Sequence, residues 1–209
     1  MSSEVAESKR GVLRILDMGE RGVLLLLFVS LLVRVLAHPD PGFFAYLLVF
    51  AEGVTVSLIL FRRSTLDVTL RPVDWAFAFA GTMLPLLVTV GGDPLAPSWI
   101  GSTMMVAGLG FSLWAKVALW RSFGLAAANR GVKVRGPYRL VRHPMYLGYF
   151  LVYAGFLLLN PTLLNLMIYA GWLACQVIRV YAEERQLEHD AAYREYKTKV
   201  RSRLIPGLF

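Results

Sequence analysis

Long apolar segments constrain the fold of this chain more than any other feature. A helix that crosses a membrane needs about 20 consecutive apolar residues, and runs near that length recur along the 209 residues. The mean hydropathy of +0.55 and the hydrophobic content of 56% agree with a chain that folds within lipid. The runs are Gly22–Ala37, Phe43–Phe61, Trp75–Val90, Trp99–Trp120 and Tyr146–Val180.

The last run is too long for one span and is interrupted by "LLNPTLLN". Pro161 follows Asn160 there, which predicts two helices joined by a tight turn. The chain is therefore predicted to be an all-α, polytopic membrane bundle with about five or six spans. Gly22–Ala37 and Trp75–Val90 are short for a full crossing. The small residues Gly101, Gly108, Gly148 and Gly155 suit close packing between helices.

The distribution of Lys and Arg indicates the orientation of the bundle. The connections "HPDPG", "GGDPLAPS" and "NPT" contain neither residue, whereas the two termini and the other connections contain nearly all of them. Because cytoplasmic loops collect positive charge, both termini and the "RHP" loop are predicted to be cytoplasmic. The net charge of +8 then reflects this topology and an attraction to membrane lipids. Because the positive charges are dispersed over several loops, they do not indicate that the protein binds nucleic acid.

The chain divides by composition into three regions. Residues 1–21 are polar and are expected to be mobile or to lie on the membrane, 22–120 form the N-terminal helices, and 121–209 form a C-terminal catalytic region. A cleaved signal peptide is the alternative for Gly22–Ala37, but Arg34 interrupts its apolar run, which favours a retained helix. The sole cysteine, Cys175, excludes an intramolecular disulfide and a cysteine-based metal site. We predict no metal site.

Ionisable residues within the apolar runs carry a high insertion cost of about 2.5–3.5 kcal/mol each at the bilayer centre. Glu52 and Arg34 could form an ion pair between two helices, or they could contact a substrate. Lys116 and Arg179 lie near cytoplasmic ends, where long side chains can reach the headgroup region.

The first segment with specific chemistry is "GPYRLVRHPMYLGY". Pro144 suits the first position of a helix, and helix N-termini present unpaired N–H groups to anions. Arg142 and His143 add directional donors, while Tyr138 and Tyr146 add aromatic faces. This combination suits a ligand that has a carboxylate and a flat ring. The alternative is simple anchoring, because basic and aromatic residues collect at the headgroup level of membranes.

The second segment is "RVYAEERQLEHDAAYREYKTKVRSRLIPGLF". Arg179, Glu183 and Leu187 share one helix face at a spacing of four residues, and Glu184 is adjacent. Arg179 and Glu183 could merely pair with each other, an interaction worth about 0.3–0.5 kcal/mol when exposed.

Together the two segments resemble the isoprenylcysteine carboxyl methyltransferase family and its relatives, the phospholipid N-methyltransferases and membrane thiol methyltransferases. The resemblance rests on "RHPMYLG", a following helical hairpin, "EERQL" and "YREY…RLIP". It covers about Arg121 to Phe209, and the helices before Trp99 show no comparable motif.

The resemblance implies that these segments form a cytoplasmic cap around S-adenosylmethionine. By matching position, Arg179 would hold the reacting group of the substrate, and Glu184 would support the loop or, with His143 as the other candidate, act as a base for an amine or thiol. The residues implied at the cofactor site are Arg130, Lys133, Tyr138, Arg142, His143, Pro144, Met145, Tyr146 and Glu183.

The implied partner is a lipophilic or lipid-linked methyl acceptor. Carboxyl methylation of a prenylcysteine-like group is the first expectation, and methylation of a phospholipid amine or a thiol is the alternative. The shorter N-terminal half and the less polar loop "SFGLAAANRGVKVRG" depart from the eukaryotic enzyme. Two other functional classes are alternatives to a methyltransferase. The first is a nicotinamide-dependent membrane sterol reductase, but the segment "AEERQLEHDAAY" lacks the C-terminal motifs of that class. The second is a membrane scaffold without catalytic activity. The oligomeric state is left open.

Overall fold

The computed structural model describes residues 3–37, 39, 42–63, 65, 67–124 and 126–207, and within these ranges the protein is entirely helical. No strand occurs there, and the single isolated bridge pairs Val68 with Ala128. Short 3-10 turns extend or connect several helices. The α-helices are α1 (Ser3–Ala37), α2 (Gly42–Leu60), α3 (Pro72–Met83), α4 (Ser98–Leu119), α5 (Pro144–Leu159), α6 (Leu163–Leu187) and α7 (Ala191–Lys199).

Among the described residues, two helical segments are long and apolar enough to cross a membrane. They are Ser98–Ser122, which contains α4, and Leu163–Leu187, which is α6. The apolar helices Val49–Leu60, Pro72–Leu87 and Pro144–Leu159 are shorter. The all-helical class is confirmed, while the count of five or six complete spans stays a prediction. The turn predicted at Asn160 and Pro161 separates α5 from α6, and the side chain of Thr162 caps α6 by accepting from the Asn165 N–H.

Helix α1 begins earlier than the apolar pattern predicts. It runs without a break from Ser3 to Ala37, so residue 21 is not a structural boundary. Residues 1 and 2 of the predicted polar segment lie outside the described residues. The helical polar part is held by charge: Nη1 of the buried Arg62, just after α2, lies 2.5 Å from Oε1 of Glu20. Buried ion pairs of this kind require good geometry to offset desolvation.

Two predictions about charged residues in the apolar runs are wrong. The pair between Glu52 and Arg34 is not formed, because Arg34 is exposed and its Nε lies 3.4 Å from the carbonyl oxygen of Ser30. Lys116 does not reach toward the headgroups. Its side chain is buried, and Nζ donates to Oγ1 of Thr55 at 2.7 Å while lying 5.2 Å from the ring centroid of Tyr149. An internal acceptor and an aromatic face replace the solvation that the membrane surface would have supplied.

Helices α4 and α5 approach to backbone contact, as their glycines predict. A methyl group at Gly108 would lie 2.6 Å from the carbonyl oxygen of Gly148, and one at Gly155 would lie 2.6 Å from that of Gly101. No side chain larger than hydrogen fits at these positions. This contact fixes the position of the N-terminus of α5 along the axis of α4, beside the C-terminal half of that helix.

We predict that Gly108→Val will lower the thermal unfolding midpoint of the detergent-solubilised protein by several degrees. Forcing a side chain into a packed contact costs about 1–3 kcal/mol or more. Gly110→Val is the matched control, since no atom lies within 4 Å of a methyl group at that position on the same helix. Equal effects of the two changes would mean that helix propensity, rather than the contact between α4 and α5, determines the loss.

Candidate functional site

A cavity opens where the loop after α4, the N-terminus of α5, the C-terminus of α6 and helix α7 converge. With its open mouth it has an empty volume of about 770 Å³. We call it the first cavity. It is lined by Leu119, Ser122, Gly124, Ala126, Ala127, Ala128, Arg130, Gly131, Val132, Lys133, Tyr138, Arg142, His143, Met145, Tyr146, Glu183, Leu187, Tyr193 and Tyr196.

The "RHP" loop is held in place by the C-terminal tail. The N–H of Arg142 donates to the carbonyl oxygen of Ser202 at 3.0 Å, and the N–H of His143 donates to that of Arg203 at 2.8 Å. Pro144 is fully buried at the first position of α5. The tail thus uses the N–H groups of the two residues that precede α5, while the anion site expected at the helix start stays a prediction.

Glu183 connects α6 to α5 on the wall of the first cavity. The hydroxyl of Tyr146 donates to Oε1 of Glu183, and Oε2 lies 3.5 Å from Nδ1 of His143. The rings of His143 and Tyr146 stack with centroids 5.9 Å apart. One turn earlier on α6, the buried guanidinium of Arg179 lies 5.2 Å from the centroid of the Tyr146 ring. Both α6 side chains thus contact the same tyrosine.

Glu184 lies behind this wall and contacts Arg142, His143 and Arg203. Its Oε1 lies 2.7 Å from Nη1 of Arg142 and 3.3 Å from Nε2 of His143, and its Oε2 lies 3.1 Å from Nε of Arg203. The carboxylate is buried. Because two guanidinium groups contact it, this geometry supports the predicted structural role and disfavours a role as base.

The charge of His143 depends on these carboxylates. Burial by itself would lower the pKa of His143, but hydrogen bonds to Glu183 and Glu184 and their negative charges outweigh burial and raise it. By contrast, burial raises the pKa of Tyr138 well above its ordinary value, so this phenol stays neutral. The cavity wall therefore combines a cation-forming imidazole with a neutral phenol.

The structure brings most of the predicted site residues together. Among the predicted cofactor residues, Pro144 alone does not line the first cavity. Arg179 and Glu184 do not line it either, and they contact it through Tyr146, Arg142 and His143. Arg179 was expected to reach the headgroup region, and this is wrong because its side chain is buried beside Tyr146. The roles of all these residues toward a cofactor stay predictions.

Sequence reasoning missed part of the cavity and the partner that completes the Glu184 network. The small residues Ala126 and Ala127 are buried in the wall, and a run of such residues in a connecting loop was the available signal. Arg203 belongs to the quoted "RLIP" motif but was given no role. Tyr196, in the "YREY" motif, also has a structural role, because its hydroxyl donates to the carbonyl oxygen of Tyr138 at 2.6 Å.

An aromatic series leads from the first cavity along α5. Successive ring centroids are 6.3 Å apart for Tyr146 and Tyr149 and 6.4 Å apart for Tyr149 and Tyr153. Tyr153 then contacts α6, with its centroid 4.9 Å from that of Tyr169 and 4.6 Å from that of Trp172. The cavity and the apolar interior of the helix pair are therefore joined by one continuous aromatic face.

We predict that the stability of the protein falls as pH rises above about 6.5, in part through His143. A raised pKa means that the charged contacts of His143 contribute fully below about pH 6.5 and are lost as pH rises through the folded-state pKa. Thermal midpoints measured between about pH 6 and 9 should therefore decline less steeply for His143→Gln than for the parent protein. The control is His189→Gln, since His189 is exposed. Parallel profiles for parent and His143→Gln would contradict the prediction.

Comparison with known families identifies the region that contains this site. The family model described as phospholipid methyltransferase matches residues 96–193, from just before α4 to the first turn of α7. No curated protein matches the chain at a significant level. The match includes the "RHP" loop, the helical hairpin and the "EE" segment, and it confirms the resemblance stated from these motifs. Residues 96–193 of the chain are therefore similar to the phospholipid methyltransferase family.

Proposed function

We propose that this protein transfers a methyl group from S-adenosylmethionine to an acceptor carried in the membrane. The observation that supports this most directly is the meeting of the "RHP" and "EE" segments, through Tyr146, His143 and Glu183, on one wall of the first cavity. The family match supports a methyltransferase. It does not support the reductase or the scaffold.

The lining of the first cavity fits the chemistry of this cofactor. Glu183 supplies a carboxylate, and Tyr146 supplies an aromatic face, both of which attract a sulfonium cation. Tyr138 and Met145 offer flat or polarizable apolar surface for a purine ring, and Lys133 offers a cation for a carboxylate. When bound, S-adenosylmethionine supplies an activated methyl group. The work of the protein is then to position the acceptor and exclude water.

Arg179 is proposed to hold the reacting group of the acceptor. Its guanidinium is buried against the ring of Tyr146, which lines the first cavity, and its planar donors suit a carboxylate. A carboxylate needs no base before methylation. Since Glu184 is already occupied by Arg142 and Arg203, the arrangement favours carboxyl methylation of a prenylcysteine-like acceptor. The aromatic face of α5 and α6 would contact its lipid part.

Methylation of a phospholipid amine is the second candidate, and the description of the matched family favours it. A protonated amine must lose a proton before it attacks. Glu183 is the candidate base because it lies on the cavity wall with its side chain 22% exposed. A thiol acceptor would make the same demand.

The first test separates cofactor binding from turnover. Glu183→Gln should weaken binding of S-adenosylmethionine by about tenfold or more, because a charge-assisted contact is worth about 1.5–3 kcal/mol. Arg179→Ala should abolish most methyl transfer while changing cofactor affinity little. Both are measured by calorimetric titration and by transfer of a labelled methyl group. Glu188→Gln is the control, since Glu188 lies exposed near the same helix end. Equal loss of both quantities in Arg179→Ala would assign this residue to cofactor binding.

The second test identifies the acceptor. We expect label from S-adenosylmethionine to transfer to a prenylcysteine analogue in a form released by mild base, because a methyl ester is base-labile and a methylamine is not. An aminophospholipid and an alkyl thiol are tested in parallel. Base-stable label on the aminophospholipid would establish the second candidate and contradict the first.

A further inference from the structure

Arg130 lies on the wall shared by two cavities. The first cavity is the candidate active site, and the other, called here the second cavity, has an empty volume of about 1,160 Å³. The second cavity lies between α1, the segment that follows α2, and the start of α3. Its lining is Leu13, Arg14, Leu16, Asp17, Met18, Glu20, Arg62, Thr65, Val68, Trp75 and Arg130.

Nε of Arg130 is buried and has no hydrogen-bond acceptor among the described residues. The residue is 8% exposed. Burial, followed by the nearby charge of Arg62, lowers the pKa of Arg130 to about 10, although the charges of Glu20 and Asp17 oppose this shift. A buried cation in this position destabilises the fold unless an anion offsets its desolvation.

The nearby carboxylates are committed to other cations. Asp17 contacts both Arg62 and Arg21, with Oδ2 lying 2.9 Å from Nε of Arg21. Glu20 accepts from Arg62 at 2.5 and 3.0 Å. The lining of the second cavity contains Arg14, Arg62 and Arg130 against Asp17 and Glu20. The cationic side chains exceed the carboxylates by one, so the second cavity is suited to a ligand with a single negative charge.

The remaining wall of the second cavity is apolar. Leu13, Leu16 and Met18 of α1 face this space together with Val68 and the half-buried Trp75. Helix α1 continues from here into its apolar part, and α2 ends here at Leu60. An excess cation, an aliphatic and indole lining, and a position beside apolar helix segments together match a phospholipid, whose phosphate adjoins its acyl chains.

We propose that the second cavity binds a phospholipid and that the Arg130 guanidinium binds its phosphate. Arg14, which is exposed at the rim, supplies further positive charge. The resemblance to known methyltransferases assigns Arg130 to the cofactor instead, and the two roles make different predictions. This lipid site goes beyond the proposed methyl transfer and does not depend on which acceptor is methylated.

The test compares Arg130→Gln with Arg139→Gln, which removes the same charge from an exposed position nearby that lines neither cavity. Thermal midpoints are measured in a maltoside detergent with dihexanoylphosphatidylglycerol, with dihexanoylglycerol, which lacks the phosphate, or with inorganic phosphate. The phospholipid should raise the midpoint of the parent protein and of Arg139→Gln. For Arg130→Gln we expect its affinity to fall by about tenfold or more, because the contact is charge-assisted.

A second readout shows that Arg130→Gln is folded. Without added lipid its thermal midpoint should equal or exceed that of the parent protein, because the change removes an unpaired buried charge. Arg130→Lys should retain part of the response to phospholipid, since it keeps the charge but not the planar donor geometry.

Several outcomes would overturn the proposal. The first is an equal rise in the thermal midpoints of Arg130→Gln and the parent protein with the phospholipid. The second is a rise in the parent midpoint with dihexanoylglycerol that equals its rise with the phospholipid. The third is a parent midpoint that the phospholipid does not change. A response to inorganic phosphate as strong as that to the phospholipid would make free phosphate the ligand. If Arg130→Gln weakens S-adenosylmethionine binding about tenfold and leaves lipid binding intact, the guanidinium serves the cofactor. Failure of methyl transfer would not affect these results, so the two proposals fail separately.

Discussion

The candidate site depends on the contact between two adjacent carboxylates of α6 and the loop that begins α5. Glu183 and Glu184 point to different sides of His143, and each contacts one of its ring nitrogens. Glu183 contributes to the cavity wall, while Glu184 joins the loop to the tail through Arg142 and Arg203. Without these carboxylates, the buried cations of the loop would have no compensating charge, and the cavity would lose one wall.

Packing between the apolar helices makes this contact possible. The glycines of α4 and α5 bring the two helix backbones together, and this contact determines where the loop after α4 and the start of α5 meet. Helix α6 then presents Arg179 and Glu183 to Tyr146 from the other side. The site therefore lies where an apolar helix pair meets charged loop and tail segments, which suits the proposed reaction between a water-soluble donor and a lipophilic acceptor.

Local signals predicted the elements of the site well, and they failed for contacts between distant segments. "RHP" next to an apolar run and "EE" at the end of another indicated His143, Tyr146 and Glu183, which all line the first cavity. The tail pairing through Ser202 and Arg203 could not be read from spacing, because it joins segments about 60 residues apart without a shared pattern. The ion pair considered between Glu52 and Arg34 is not formed, for a related reason. Opposite charge in neighbouring helices does not specify which faces meet.

The amino-acid sequence by itself determined the helical class, the turn at Pro161, the close contact of the glycine-bearing helices and the motifs that identify the family. These features follow from hydrophobic run length, backbone restrictions and residue size, which act locally along the chain. Tertiary structure alone decided that Lys116 and Arg179 point inward and that Glu184 contacts two arginines. It also decided that Arg130 borders two cavities, with no acceptor for its Nε among the described residues. The reason is that a charged side chain selects its surroundings by desolvation and pairing in three dimensions.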